Sequence, residues 1–243
     1  MHREYHKWFS PHLQRDMELL IFGHAGIRVL VFPTRCGRFY DYENFGLVEA
    51  SRDWIESGWL QFYCVDSVDQ ESLYCNWCRR EDRIKRHGSF ENYVIREVLP
   101  LSEYKNPGTL LIAHGCSLGA YHAVNIALRH PHLFGKVLAL SGRYDLTVTS
   151  ADFRDLFDGH VDESIYLHMP LMYLPNVTEK QYLRTLRRLK ITLVVGKLDP
   201  FLASNQQLSK VLNQKRIPNV LHVWSGRAHK PVHWTKMIKL YLG

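Results

Sequence analysis

The segment Gly115-Cys116-Ser117-Leu118-Gly119 constrains this chain more than any other. It follows an apolar run of strand type, Thr109 to His114. It precedes a stretch in which Ala120, Ala123, Val124, Ala127 and Leu128 share one helical face. A serine between two glycines at a strand-to-helix turn has the form G-x-S-x-G, a nucleophile elbow. The glycines leave room for a sharp turn and for close packing of helix on strand, and the turn lifts the hydroxyl above the end of the sheet. The helix N-terminus behind it offers free N–H groups and the positive end of a dipole. A five-residue pattern also arises by chance, and a serine in an ordinary turn is the plainer alternative. The strand before it and the helix after it favour the elbow.

The rest of the chain alternates in the same way. Met17 to Phe22 and Arg28 to Phe32 are strand-like, and the intervening Gly23-His-Ala-Gly26 predicts a hairpin between them. Phe45 to Ser57 reads as a helix with Val48, Trp54 and Ile55 inward, Leu60 to Val65 as a strand, and Glu91 to Leu99 as a helix closed by Pro100. Three further strands (Lys136 to Ser141, Lys190 to Val195, Asn219 to Trp224) and helices over Leu202 to Asn213 and His233 to Leu242 complete the pattern. Nearly continuous apolar strands alternating with helices predict an α/β protein with a mostly parallel sheet covered on both faces. Residues 1–243 are expected to form a single domain, with an excursion at about 150–188 that is rich in Tyr, His and Met and broken by Pro170 and Pro175.

A serine hydroxyl is a weak nucleophile and needs a histidine base held by an acid. In a fold of this kind the chain order is Ser, then Asp or Glu, then His. Asp199 follows the strand ending at Val195 directly; Asp145, after the preceding strand, is the competitor. His229 lies on the glycine-containing loop after the last strand, and His233 stands four residues on; His229 is favoured. With 14 histidines in the chain a lone one means little, whereas an ordered trio just past strand ends means much more. For the two oxyanion donors, the N–H of Leu118 is one, and the N–H of Thr34 or Arg35, after the strand ending at Phe32, is the other, with Arg35 preferred. The Arg35 side chain is placed to reach an acidic substrate group or simply to face solvent.

Composition narrows the alternatives. The net charge of +7 comes from scattered Lys and Arg, and the densest run, Arg184 to Lys190, has the spacing of a solvated helix face, so no nucleic-acid partner is expected. No run approaches the ~20 apolar residues of a membrane span, and the first twenty residues lack the apolar core of a secretion signal. Five cysteines, with Cys75-Asn-Trp-Cys78 as a lone CxxC, argue against a zinc site and against a complete set of disulfides, so a cytoplasmic setting is expected. No metal or cofactor is expected, and self-association is left open.

The chain resembles the putative-esterase branch of the α/β-hydrolases, which includes S-formylglutathione hydrolases, feruloyl esterases, enterobactin-type esterases and mycolyltransferases. The resemblance rests on "VLVFPTRCGRFYDYENFG", "AHGCSLGAYHAVNIALRHPHLFGKVLALSGRYDL", "VVGKLDP" and "GRAHKPVHW". It implies an α/β-hydrolase fold with an antiparallel N-terminal strand. It also implies Ser117 as nucleophile, Asp199 as acid, His229 as base and oxyanion donors from Thr34 to Cys36. A small-molecule ester or thioester is the implied substrate; acyl transfer by the same residues and a silent binding scaffold are the alternatives. Two departures stand out: His229-Lys230-Pro231 replaces the H-D-W of many relatives, and the Arg35-Cys36 loop is bulky. In the excursion, Tyr166, Met169, Met172 and Tyr173 are expected either to line a substrate pocket or to be core.

Overall fold

The computed structural model describes residues 1–108, 110–150 and 152–242. Eight strands form one sheet in the order β1-β2-β4-β3-β5-β6-β7-β8. They are β1 (Arg3–Ser10), β2 (Arg15–Phe22), β3 (Ile27–Phe32), β4 (Leu60–Val65), β5 (Leu111–Cys116), β6 (Lys136–Leu140), β7 (Lys190–Gly196) and β8 (Asn219–Trp224). Strands β4 to β8 and β3 run parallel, and the hairpin β1–β2 joins antiparallel through β2 to β4. This eight-stranded, mostly parallel sheet with an antiparallel N-terminal hairpin is the α/β-hydrolase architecture that the sequence resemblance implies. The first residue of the expected β5 run, Thr109, lies outside the described residues.

Three local expectations are corrected. The hairpin predicted between Met17–Phe22 and Arg28–Phe32 does not form. β4 inserts between β2 and β3, pairing antiparallel with one and parallel with the other. The chain after Phe22 crosses over instead of folding back, with Gly23 and Gly26 both at positive φ. The Gly26 backbone lies so close to that of Trp59 that a Cβ would collide with it. Pro100 does not close a helix. The run α4 (Arg80–Tyr93) passes through a π turn at Val94–Val98 into α5 (Leu99–Lys105), where Pro100 occupies the first turn and needs no N–H partner. The segment Phe45 to Ser57 is not one helix but two short ones, α2 (Leu47–Ala50) and α3 (Arg52–Glu56), preceded by α1 (Asp41–Asn44), with the chain turning at Gly46 and Ser51; Val48 and Ile55 are buried and Trp54 partly so. Strand β1, whose side chains alternate between exposed and half-buried, has no counterpart among the predicted elements.

Alternate residues of each central strand enter opposite layers, as a pleated sheet dictates. Leu30, Phe32, Ala113, Val137 and Leu193 face a layer built from α4, α5, α6 (Leu118–Arg129) and, after the excursion helices α7 (Glu163–Leu167), α8 (Pro170–Tyr173) and α9 (Lys180–Leu186), from α10 (Leu202–Gln214). Val29, Val31, Ile112, Leu138 and Val194 face α1–α3 and the terminal α11 (Pro231–Tyr241). Because β3, β5, β6, β7 and β8 are parallel, the loops after all five emerge at one edge.

Helix α6, which starts at the elbow, is anchored at its far end. Glu91 on α4 accepts from Arg129 Nε at 2.9 Å and pairs with His130 Nε2 at 2.8 Å. Burial pushes the Glu91 carboxyl up, but His130 and Arg129 outweigh it and hold it at about 2. A carboxyl held below its unfolded value adds stability that is complete above about pH 4.5 and is lost as pH falls toward about 2. Glu91→Gln is therefore expected to lower unfolding stability at neutral pH by on the order of 3 kcal/mol. The gap between wild type and variant should close as pH drops through that window, measured by urea denaturation across pH.

Candidate active site

Ser117 sits between β5 and α6 with φ 57° and ψ −120°, a conformation few non-glycine residues adopt. Its N–H donates to Leu140 O on neighbouring β6 at 2.8 Å, which fixes the turn to the sheet. The flanking glycines are required by proximity. A Cβ on Gly115 would collide with the backbone of Gly119, and one on Gly119 would collide with Phe32 O and lie 2.6 Å from Pro33 O. Three backbones thus meet at the elbow: the end of β5, the first turn of α6 and the end of β3.

Opposite the serine, His229 lies on the loop between β8 and α11, and Asp199 on the turn after β7. The Ser117 hydroxyl is 3.1 Å from His229 Nε2, and His229 Nδ1 is 3.0 Å from Asp199 Oδ2. With Nδ1–H donating to the carboxylate, Nε2 is the acceptor for the hydroxyl proton. The Asp199 side chain is fully buried, and its other oxygen accepts from the Phe201 N–H at 2.9 Å. The imidazole is flanked edge-on by Phe201 and Trp234, with ring centroids 5.5 Å and 5.4 Å away. The loop is drawn to β7 by Gly196, whose missing side chain admits the carbonyl of Arg227. The competitors are not part of this relay: Asp145 Oδ1 accepts from Thr147 N at 2.9 Å, and His233 lies in the first turn of α11, its backbone N–H bonded to Lys230 O, with no side-chain bond to Ser117 or Asp199. Lys230 takes the N-cap position of that helix and Pro231 opens it.

Leu118 is the first residue of α6, so its N–H has no intrahelical acceptor. Facing it, Thr34 to Gly37 form a turn closed by Gly37 N–H to Thr34 O at 2.8 Å, with Cys36 at φ 53°. The Cys36 N–H donates to Asp69 Oδ2 at 2.8 Å, and Asp69 Oδ1 is 3.2 Å from His122 Nε2 on α6. Cys36 N–H is thereby committed, which leaves Thr34 and Arg35 as donors on this loop. Asp69, adjacent in sequence to β4, has no motif of its own; only its placement after a strand end hinted at a role here.

A cavity of about 410 Å³ opens at this point, bordered by Thr34, Arg35, Ser117, Leu118 and His229 and walled by Phe45, Tyr74, Arg143, Leu146, Phe153, Phe201, Pro231 and Trp234. The excursion residues expected as alternative lining are not on it. Met169 and Tyr173 are buried core, Tyr166 packs against that core from the rim, and Met172 lies against an adjoining cluster. Met169 instead backs the wall, its sulfur accepting from the Leu146 N–H at 3.2 Å. Their apolar spacing served packing between α6, α7 and α8. The wall residues Tyr74, Arg143, Phe153 and Phe201 come from separate loops and share no sequence pattern. Cys75 and Cys78, a pair with no predicted role, close a disulfide next to Tyr74, while Cys36, Cys64 and Cys116 are free. Among the described residues no cluster of His, Cys, Asp and Glu has the arrangement of a metal site, and no helix is long and apolar enough to cross a membrane.

A family model described as "Putative esterase" matches residues 65–230. No curated protein matches. Among solved structures, a ferulic acid esterase aligns over 99% of this chain and 96% of its own, with TM-score 0.77 and 16% identity. An S-formylglutathione hydrolase from Agrobacterium tumefaciens aligns over 99% and 92%, with TM-score 0.75 and 13% identity. The fluorophosphonate-binding serine hydrolase F of Staphylococcus aureus aligns over 98% and 96%, with TM-score 0.70 and 18% identity. At these identities the likeness is one of fold.

The interlocked glycines generate a prediction. Gly119→Ala forces the Pro33–Cys36 loop away from Ser117, and a displacement near 1 Å is worth roughly 100-fold in rate. Turnover of an activated ester is expected to fall by about that factor, while circular dichroism stays native.

Proposed function

Because the chain belongs to the putative esterase family, we propose that it is a serine hydrolase that cleaves a small ester or thioester through Ser117, His229 and Asp199. The observation that carries this reading is one imidazole bridging the elbow serine and a buried carboxylate, at 3.1 Å and 3.0 Å, on the border of a cavity.

Ser117 Oγ attacks the substrate carbonyl carbon while His229 Nε2 takes the hydroxyl proton. The imidazolium that results lies against the Asp199 carboxylate, which fixes the tautomer and balances the new charge. Negative charge develops on the carbonyl oxygen, and the N–H groups of Leu118 and of Arg35, or Thr34, receive it. The α6 dipole adds to their effect. Collapse of the tetrahedral adduct breaks the bond to the leaving oxygen or sulfur, which takes the proton from Nε2, and leaves an acyl group on Ser117. Water then attacks the acyl carbon, giving its proton to His229, and the second collapse returns that proton to Ser117 and frees the acid. Every proton shuttles between Nε2 and the reacting atoms.

A cavity of about 410 Å³ is at the small end of ligand sites, which favours short acyl groups. A tagged fluorophosphonate is expected to label the wild type and not Ser117→Ala. His229→Ala and Asp199→Asn are each expected to reduce kcat roughly 10⁴-fold with folding intact. In a series of p-nitrophenyl esters, kcat/KM should be highest for short chains. Absence of labelling in a correctly folded protein would leave a binding scaffold, and faster turnover of long chains than of short ones would overturn the size argument.

A further inference from the structure

The cavity beside Ser117 carries an unbalanced charge. Two arginines, Arg35 and Arg143, line it, and among the described residues no aspartate or glutamate does. Arg143 follows β6 and is 4% exposed. Its Nη2 donates to three carbonyls, those of Leu146 at 3.2 Å, Val148 at 2.5 Å and Arg154 at 2.9 Å. Its Nε is buried without a partner among the described residues, and its Nη1 has no protein partner among them. No carboxylate among the described residues pairs with this guanidinium. The two acids that attract it make their hydrogen bonds elsewhere: Asp145 Oδ1 accepts from the N–H and hydroxyl of Thr147, and Asp155 accepts from the N–H groups of Phe157 and Gly159. Burial lowers the Arg143 pKa despite the attraction of Tyr74, Asp145 and Asp155, the mark of a cation under-compensated by its surroundings.

Arg35, exposed to solvent, borders the same cavity. Its guanidinium lies 5.6 Å from the Tyr74 ring centroid and 5.9 Å from that of Phe153, and it makes no ion pair among the described residues. Tyr74 lies beneath the Arg35 guanidinium, and it borders the cavity together with Arg143.

A guanidinium whose hydrogen-bond acceptors are all carbonyls, in a site walled by aromatic rings, gains from an anion that enters with the ligand. The Nη1 N–H groups, which the three carbonyls leave over, are donors a carboxylate oxygen can meet. We infer, building on the esterase reading above, that the cavity selects esters whose non-reacting part bears a carboxylate, seated between Arg35 and Arg143 against the rings of Tyr74 and Phe153. A neutral ester of equal size fills the same volume and leaves the charge unbalanced.

Matched substrates test this on either side of the scissile bond: mono-4-nitrophenyl adipate against 4-nitrophenyl hexanoate, and 4-acetoxybenzoate against 4-acetoxybenzamide. Each rate is divided by its uncatalysed rate in buffer. At least one carboxylate-bearing ester is expected to have kcat/KM about tenfold above its neutral partner. That ratio should fall to one or below in Arg35→Glu, which retains the backbone N–H, and should shrink in 1 M salt. Ratios near one in both pairs for the wild type would overturn the inference. A binding arm separates this site from the chemistry: Ser117→Ala is expected to bind 4-hydroxybenzoate about tenfold more tightly than 4-hydroxybenzamide, and to lose that preference when Arg35→Glu is added. Fluorophosphonate labelling of Ser117 together with flat ratios would remove the carboxylate site and leave the esterase reading standing. An Arg35-dependent preference in Ser117→Ala without any labelling of the wild type would do the reverse.

Discussion

The site depends on one contact, the meeting of three stretches of bare backbone at Gly115, Gly119 and the Phe32–Pro33 carbonyls. No side chain intervenes, so the distance between the elbow and the loop after β3 is set by van der Waals radii and the spacing of neighbouring parallel strands. Ser117, the Leu118 N–H and the Thr34–Arg35 turn take their relative positions from it. Asp69 extends the arrangement to a third strand. Its carboxylate reaches from the segment after β4 to the Cys36 N–H on one side and to His122 of α6 on the other, tying the loop and the elbow helix to a common buried anion. Hydrogen bonds to a charged acceptor in low dielectric are among the stronger ones a protein makes, so the loop is held from below as well as from the side.

The other half of the site is built by a second pair of neighbouring strands. Asp199 and His229 lie 30 residues apart, yet β7 and β8 are adjacent and parallel, and the missing side chain of Gly196 lets the Arg227 carbonyl approach. Ala228, at φ 51°, then turns the chain so that His229 points back over the sheet. Phe201 and Trp234 close around the ring, which fixes its plane as the Asp199 carboxylate fixes its tautomer. Lys230 and Pro231 belong to this same geometry as the cap and first residue of α11.

What was legible in the sequence is what local rules determine. The elbow declares itself because its strand, its glycines and its helix are contiguous, and Asp199 and His229 because each follows a strand end in the required order. The central strands stand out as apolar runs too short for helices. The strand order was not legible at the N-terminal edge, since whether β2 pairs with β3 or with β4 depends on residues forty positions away. Strand β1, half exposed and carrying charges, has no apolar run to mark it. Pro100 looks the same whether it ends a helix or opens one. Tyr166, Met169 and Tyr173 carry the same apolar pattern whether they face a ligand or a neighbouring helix. Arg143 and Phe153 reach the cavity only through the course of long loops, and nothing in their immediate neighbours marks them.

Histidine abundance shows why placement outranks residue type. His114 is wholly buried, and its pKa is driven down to about 4 by desolvation. It is neutral, bonded to the Leu138 carbonyl at 2.7 Å and to the Tyr42 hydroxyl. His87 and His168 are likewise driven down by burial. These rings are structural, because a base shut away from solvent and substrate has no proton to exchange at neutral pH. His229 differs in bordering the cavity, its side chain 13% exposed, with a carboxylate behind it and a hydroxyl in front. The same comparison distinguishes the buried charges. Asp199 and Asp69 each face a ring N–H and a backbone N–H, whereas the hydrogen-bond acceptors of Arg143 among the described residues are all neutral carbonyls. Near an aromatic wall that dilutes no field, the group left with dipoles for company is where an incoming ion changes the energy most.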